Sequence, residues 1–157
     1  MSTKDVVLGA LLVVVLIPCA VIDFRTRKIP NKITGPAALV AIVVGTALDP
    51  GNEWGRLLAG ALAGGFFLFL ALLKPGGLGM GDVKLLGVMG LFLGAPVVVA
   101  LFIALITNTL TGVVLATRVG VKKARKTHLA FGPYLALGGI VAAGVGHQAL
   151  RLWLGTH

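Results

Sequence analysis

A chain of 157 residues with 57% hydrophobic residues, 12% charged residues and a mean hydropathy of +1.02 has too few charged side chains to clothe a soluble domain. Soluble enzymes, nucleic-acid binders and disordered tails are excluded, and the predicted fold class is an all-α integral membrane protein. The formal charge of +9 would suggest nucleic acid in a soluble protein, but here it is read as topology. The single cysteine, Cys19, permits no internal disulfide or CxxC site and reads as an inert buried thiol.

In chain order, the apolar runs predict a bundle of six transmembrane helices, at 6–22, 33–48, 57–73, 83–94, 97–117 and 129–150. The first is expected to be retained rather than cleaved as a signal peptide, because its charges, Asp23-Phe-Arg-Thr-Arg-Lys, follow the apolar run instead of preceding it. Small residues spaced at Gly60/Gly64 and Gly90/Gly94, with Gly65, Gly87, Gly138, Gly139, Gly144 and Gly146, predict close helix packing. Between Lys84 and Arg118, two helices that turn at Gly94 and Pro96 are preferred over one long kinked span. With two crossings there, Arg25, Arg27, Lys28, Lys32, Lys74, Lys84, Arg118, Lys122, Lys123, Arg125 and Lys126, eleven of the fourteen cations, share one side. That side is then cytoplasmic and both termini are external, with Lys4, Arg56 and Arg151 opposite. The fourth helix is short for a bilayer, so either the membrane thins there or the preceding loop dips into it. No repeat or second domain is seen, and residues 1–157 are expected to form one membrane-embedded domain.

Of the five acids, Asp5, Asp49 and Glu53 fall on the external side and read as solvated loop residues. Asp23 and Asp82 fall where cytoplasmic loops meet apolar helices, a costly place for an ionisable group and one that is usually functional. Asp82 is also placed to cap the fourth helix. His128, His147 and His157 are too scattered for a metal cluster, and no Ser/His/Asp triad is available. No metal or other cofactor is expected.

The residues around the two aspartates carry more information. Asp23 is followed by a basic run ending in Pro30 and Asn31, Asp82 closes the segment Gly79-Met-Gly-Asp with Val-Lys behind it, and Phe131-Gly-Pro-Tyr-Leu opens the last helix. In these three motifs, in this order, the chain resembles the type IV prepilin peptidases, membrane aspartyl proteases of the GxGD kind. Family members often have Pro where Ala130 stands. The resemblance implies catalysis by Asp23 and Asp82, with Gly79, Gly81, Lys84, Pro30, Asn31, Gly132 and Pro133 as motif or supporting residues.

Physically, two carboxyls sharing a proton supply both the base and the acid that peptide hydrolysis needs. Gly79 and Gly81 are expected to allow positive φ and to leave room for an extended substrate. Lys84 either supports ionisation of one carboxyl or, preferably, anchors the helix at lipid headgroups, and Asn31 is expected to cap the second helix. Arg25, Arg27 and Lys28 read as topology signals that also bind anionic lipid.

The resemblance further implies removal of the short basic leader of a prepilin or pseudopilin at the cytoplasmic face of a prokaryotic inner membrane, with pilus or secretion machinery as possible partners and no nucleic acid. Larger members of the family carry a cytoplasmic region with paired cysteines and methylate the new N-terminus. This chain resembles the short form associated with Flp (tight-adherence) pili, so cleavage without methylation is expected. The alternatives are a preflagellin-type or other GxGD peptidase, and a non-enzymatic transporter or secretion assembly factor. Both aspartates lie at one interface rather than at the bilayer midplane, which disfavours a transporter.

Overall fold

The computed structural model describes residues 2–26, 29–73, 79–120 and 131–154. Arg27, Lys28, Lys74, the basic stretch Lys122–His128, Ala130 and His157 lie outside the described residues. Among the described residues six helices follow one another: α1 (Thr3–Thr26), α2 (Asn31–Leu48), α3 (Glu53–Leu73), α4 (Met80–Leu93), α5 (Val97–Val119) and α6 (Gly132–Leu154), with a 3-10 turn at Pro50–Asn52 before α3. The protein is an all-α integral membrane protein. Each helix overruns its apolar run at one end or both, because backbone groups near hydrocarbon are best satisfied within the helix itself. Asp23 therefore sits inside the last turn of α1, and Asp82 is the third residue of α4 rather than its cap. The predicted break between the fourth and fifth helices is present: the Gly94 N–H closes α4 on the Gly90 carbonyl at 2.8 Å, and Gly94 takes φ 68°, a conformation that favours glycine.

Four segments, Thr3–Thr26, Asn31–Leu48, Pro50–Leu73 and Val97–Arg118, are each long and apolar enough to cross a membrane, whereas the apolar part of α6, Gly132–Gly146, is shorter. Their outer faces present Ile17, Leu39, Leu58, Leu62, Phe66 and Phe102, all exposed, as a lipid-facing surface demands. With 14 residues, about 21 Å at 1.5 Å per residue, α4 is short, but it is also central. It touches all five other helices, and α1, α2, α3, α5 and α6 form a ring around it. Val83, Leu85, Leu86, Val88, Met89, Phe92 and Leu93 are all buried there. A helix sheathed by protein has no hydrocarbon thickness to match, so its shortness does not require a thinned bilayer, and the loop before it, residues 74–78, lies outside the described residues.

Glycine sets the closest approaches. A Cβ on Gly90 would lie 2.5 Å from the Gly60 Cα, and one on Gly64 would lie 3.2 Å from the Gly87 Cα, so α3 and α4 pack backbone to backbone. The partners of Gly60 and Gly64 are thus Gly87 and Gly90, while Gly94 serves the turn. On the other side of the bundle, Gly138 of α6 lies against the Ala100 carbonyl of α5, and Gly9 of α1 faces Ala143 of α6.

At the end opposite Asp23 and Asp82, the acids are not the solvated loop residues expected. Asp49 pairs with Lys4 at 2.7 Å, Glu53 accepts the Thr46 hydroxyl at 2.8 Å, and Asp5 accepts the Ser2 N–H at 3.0 Å. Arg56, expected in a loop, lies in the first turns of α3 and is buried, because Gly45 and Gly94 leave space for its side chain.

Candidate active site

Asp23 is 5% exposed and its Oδ2 accepts the buried N–H of Gly132 at 3.0 Å. Gly132 opens α6, and first-turn N–H groups have no partner within their own helix. Pro133 follows at a position where its missing N–H costs nothing, and the Phe131 carbonyl takes the N–H groups of Tyr134 and Leu135, each at 3.1 Å. The segment Phe131-Gly-Pro thus starts a helix so that one free donor meets Asp23. Glycine is required, since a Cβ on residue 132 would sit 2.5 Å from Oδ2 and 2.8 Å from Cγ of Asp23. The sequence motif marked Gly132 and Pro133 without disclosing this bond.

Asp82 is 7% exposed, and its Oδ1 is buried without a hydrogen-bond partner in the protein. No side-chain bond caps α4; its N-cap is Gly79, whose carbonyl accepts the Asp82 N–H at 3.0 Å. Gly79 is extended at φ −71°, ψ 131°, and Gly81 is helical, so the positive φ expected of them is absent. What they provide is proximity: a Cβ on Gly79 would come 2.9 Å from Asp82 Oδ2, and one on Gly81 would come 2.9 Å from the Ile29 Cβ. The space they spare is taken by the carboxyl itself and by Ile29.

Asp23 and Asp82, 59 positions apart in the chain, line one open cleft of about 330 Å³ together with Ile29, Asn31, Gly79, Met80, Gly81 and Lys84. Among the described residues lining this cleft there is no Ser, Thr, Cys or His.

Lys84 donates to Asn31 Oδ1 at 2.8 Å, tying α4 to α2 at the rim. Asn31 is therefore not a cap. The N-cap of α2 is Pro30, extended at φ −73°, ψ 134°, and no side-chain bond caps this helix either, because the Asn31 side chain is turned to Lys84. Pro30 begins the second helix as expected, its carbonyl accepting the Ile33 N–H at 3.1 Å. Ile29 and Met80 were not singled out from the sequence; the signal available was, for Ile29, an apolar residue wedged between a basic run and a proline and, for Met80, its place inside the Gly79-Met-Gly-Asp segment.

A cleft that pairs one carboxyl held by a helix N-terminal N–H with another bearing an unpartnered buried oxygen can accept and deliver protons at a bound peptide. The family model described as the type IV leader peptidase family matches residues 10–117, a stretch that includes both aspartates. The chain belongs to the type IV leader peptidase family. Similar proteins named prepilin leader peptidase/N-methyltransferase occur in Bacillus subtilis (strain 168), 34% identical over 88% of this chain and 56% of the relative, and in Aeromonas salmonicida (strain A449), 32% identical over 95% and 53%. A third, from Neisseria gonorrhoeae, is 31% identical over 95% of this chain and 53% of its own. The chain thus spans about half the length of these curated relatives. No solved structure matches this leader peptidase family member significantly.

Proposed function

We propose that this chain is a membrane aspartyl endopeptidase that removes the short basic leader of a type IV prepilin or pseudopilin-like substrate. The observation that carries this reading is that Asp23 and Asp82, both buried, open onto one cleft. In the proposed reaction, Asp23, whose charge the Gly132 N–H stabilises, takes a proton from water as the water oxygen attacks the scissile carbonyl carbon. Asp82 delivers its proton to the carbonyl oxygen from Oδ1. The resulting diol collapses as one hydroxyl returns its proton to Asp82, the C–N bond breaks, and the leaving amine takes the proton held by Asp23. Both carboxyls return to their starting states.

On this reading residues 1–157 act as one membrane-embedded domain, with the cleft at the cytoplasmic face of a prokaryotic inner membrane and both termini outside. The distribution of Lys and Arg supports that orientation. The substrate's apolar helix lies in the bilayer and presents the extended bond before it to the cleft. Pilus or secretion machinery receives the product. The relatives' names include N-methyltransferase, but this chain has a single cysteine, and we assign it cleavage without methylation.

Co-expression with a candidate prepilin, read by N-terminal sequencing of the substrate, tests the dyad. Wild type removes the leader, whereas Asp23→Asn and Asp82→Asn insert normally and leave it intact; cleavage by either variant overturns the assignment. Incubation of the processed substrate with S-adenosylmethionine and this chain alone should leave the new N-terminus unmethylated, and a methylated product would refute that part.

A further inference from the structure

The end of the bundle opposite the aspartates holds charges that the proposed reaction does not use. Arg56 is 5% exposed, and its Nε and Nη1 are buried with no hydrogen-bond partner in the protein. Desolvating a guanidinium with unmet N–H donors is costly, so such a group needs a partner. Its place is nevertheless well defined. The guanidinium fills the notch left by Gly45 of α2, where a Cβ would overlap Cζ and both terminal nitrogens, and a Cβ on Gly94 at the end of α4 would lie 3.3 Å from the Arg56 Cγ.

Beside Arg56 is a cavity of about 20 Å³, lined by Asp5, Asp49 and Asn52 and by apolar residues of α1, α4 and α6. Asp49 is paired with Lys4 at 2.7 Å, and the Nε and Nη1 of Arg56 make no hydrogen bond to either carboxylate. These two nitrogens and the carboxylates therefore line one cavity without a direct hydrogen bond between them.

We propose that this cavity binds one ordered water that joins Arg56 to the carboxylates of Asp5 and Asp49. The size fits, since a buried water needs roughly 10 to 15 Å³ of such space and two to four polar partners. The chemistry fits too: water accepts from the arginine N–H groups and donates to carboxylates, whereas an anion would meet two acids and a cation a guanidinium. The water completes an ion cluster in which Asp5 belongs to α1, Asp49 closes α2, Arg56 belongs to α3, and the walls come from α4 and α6. It clamps five of the six helices at the end remote from the cleft, and it stands independently of the proposed peptidase reaction.

Two measurements on the full chain in detergent or nanodiscs test this. An experimental structure at a resolution that shows water should contain one peak within hydrogen-bond distance of Arg56 Nε or Nη1 and of an Asp5 or Asp49 oxygen. An empty cavity, a different ion there, or a direct Arg56–carboxylate pair overturns the proposal. In a cycle of Arg56→Gln, Asp49→Asn and the double variant, each single change lowers the unfolding midpoint by roughly 5 to 10 °C, and the double variant loses clearly less than the sum. Additive losses overturn the proposed coupling, and if Arg56→Gln does not fold, the structure of the unmodified chain decides.

Discussion

At Gly132 a single missing Cβ decides whether Asp23 keeps its donor. Gly132→Ala places a methyl 2.5 Å from Oδ2, so the carboxyl or the start of α6 must move by several tenths of an ångström. Cleavage should fall on the order of 100-fold, the scale set by a displaced catalytic group, while helix content stays at the wild-type level. Timed processing of a prepilin beside circular dichroism checks both halves of this prediction. Lys84 makes a contrasting case, because its bond to Asn31 is exposed and bypasses the aspartates. Lys84→Met should cost about 1 kcal/mol of stability and leave cleavage within about tenfold of wild type. A loss as large as that of Asp82→Asn would show Lys84 acting on the chemistry. The sequence marked both residues as motif members, but which partner each one meets depends on chain segments 109 and 53 positions away.

Among the helices, the seam between α3 and α4 is the least able to yield. Gly90 faces the Gly60 backbone, which cannot rotate aside as a side chain can, whereas Gly65 on the same helix as Gly60 has nothing within 4 Å of its would-be Cβ. Gly90→Val should therefore destabilise the protein by about 2 kcal/mol or more, and Gly65→Val should be nearly neutral, as thermal unfolding in detergent would report. Equal losses at both positions would mean that helix propensity rather than packing sets the cost. The apolar runs located all six helices because the exclusion of backbone polar groups from lipid is a local demand. Their ends, the caps at Gly79 and Pro30 and the pairing of Gly60 with Gly90 were not legible. Those depend on which helix lies alongside, and four-residue glycine spacing does not name a partner.

Over the whole molecule, orientation is the property most directly open to test. Lys32, at the start of α2, and Trp54, at the start of α3, are both exposed and lie at opposite ends of the bundle, while Cys19 is fully buried. In intact cells a membrane-impermeant maleimide should label Trp54→Cys, and it should label Lys32→Cys only after permeabilisation. The reverse pattern would put the aspartate cleft on the outer face. Composition, charge placement and motif order, read from the sequence alone, determined membrane residence, six helices and the two acids worth attention, because hydrophobicity and motif spacing are properties of the chain itself. Only the tertiary structure decided that α4 is central, that α6 supplies the N–H for Asp23, and that Arg56 is buried rather than solvated. Each of those follows from contacts between residues far apart in sequence, whose free energies depend on burial and on the partners that packing provides.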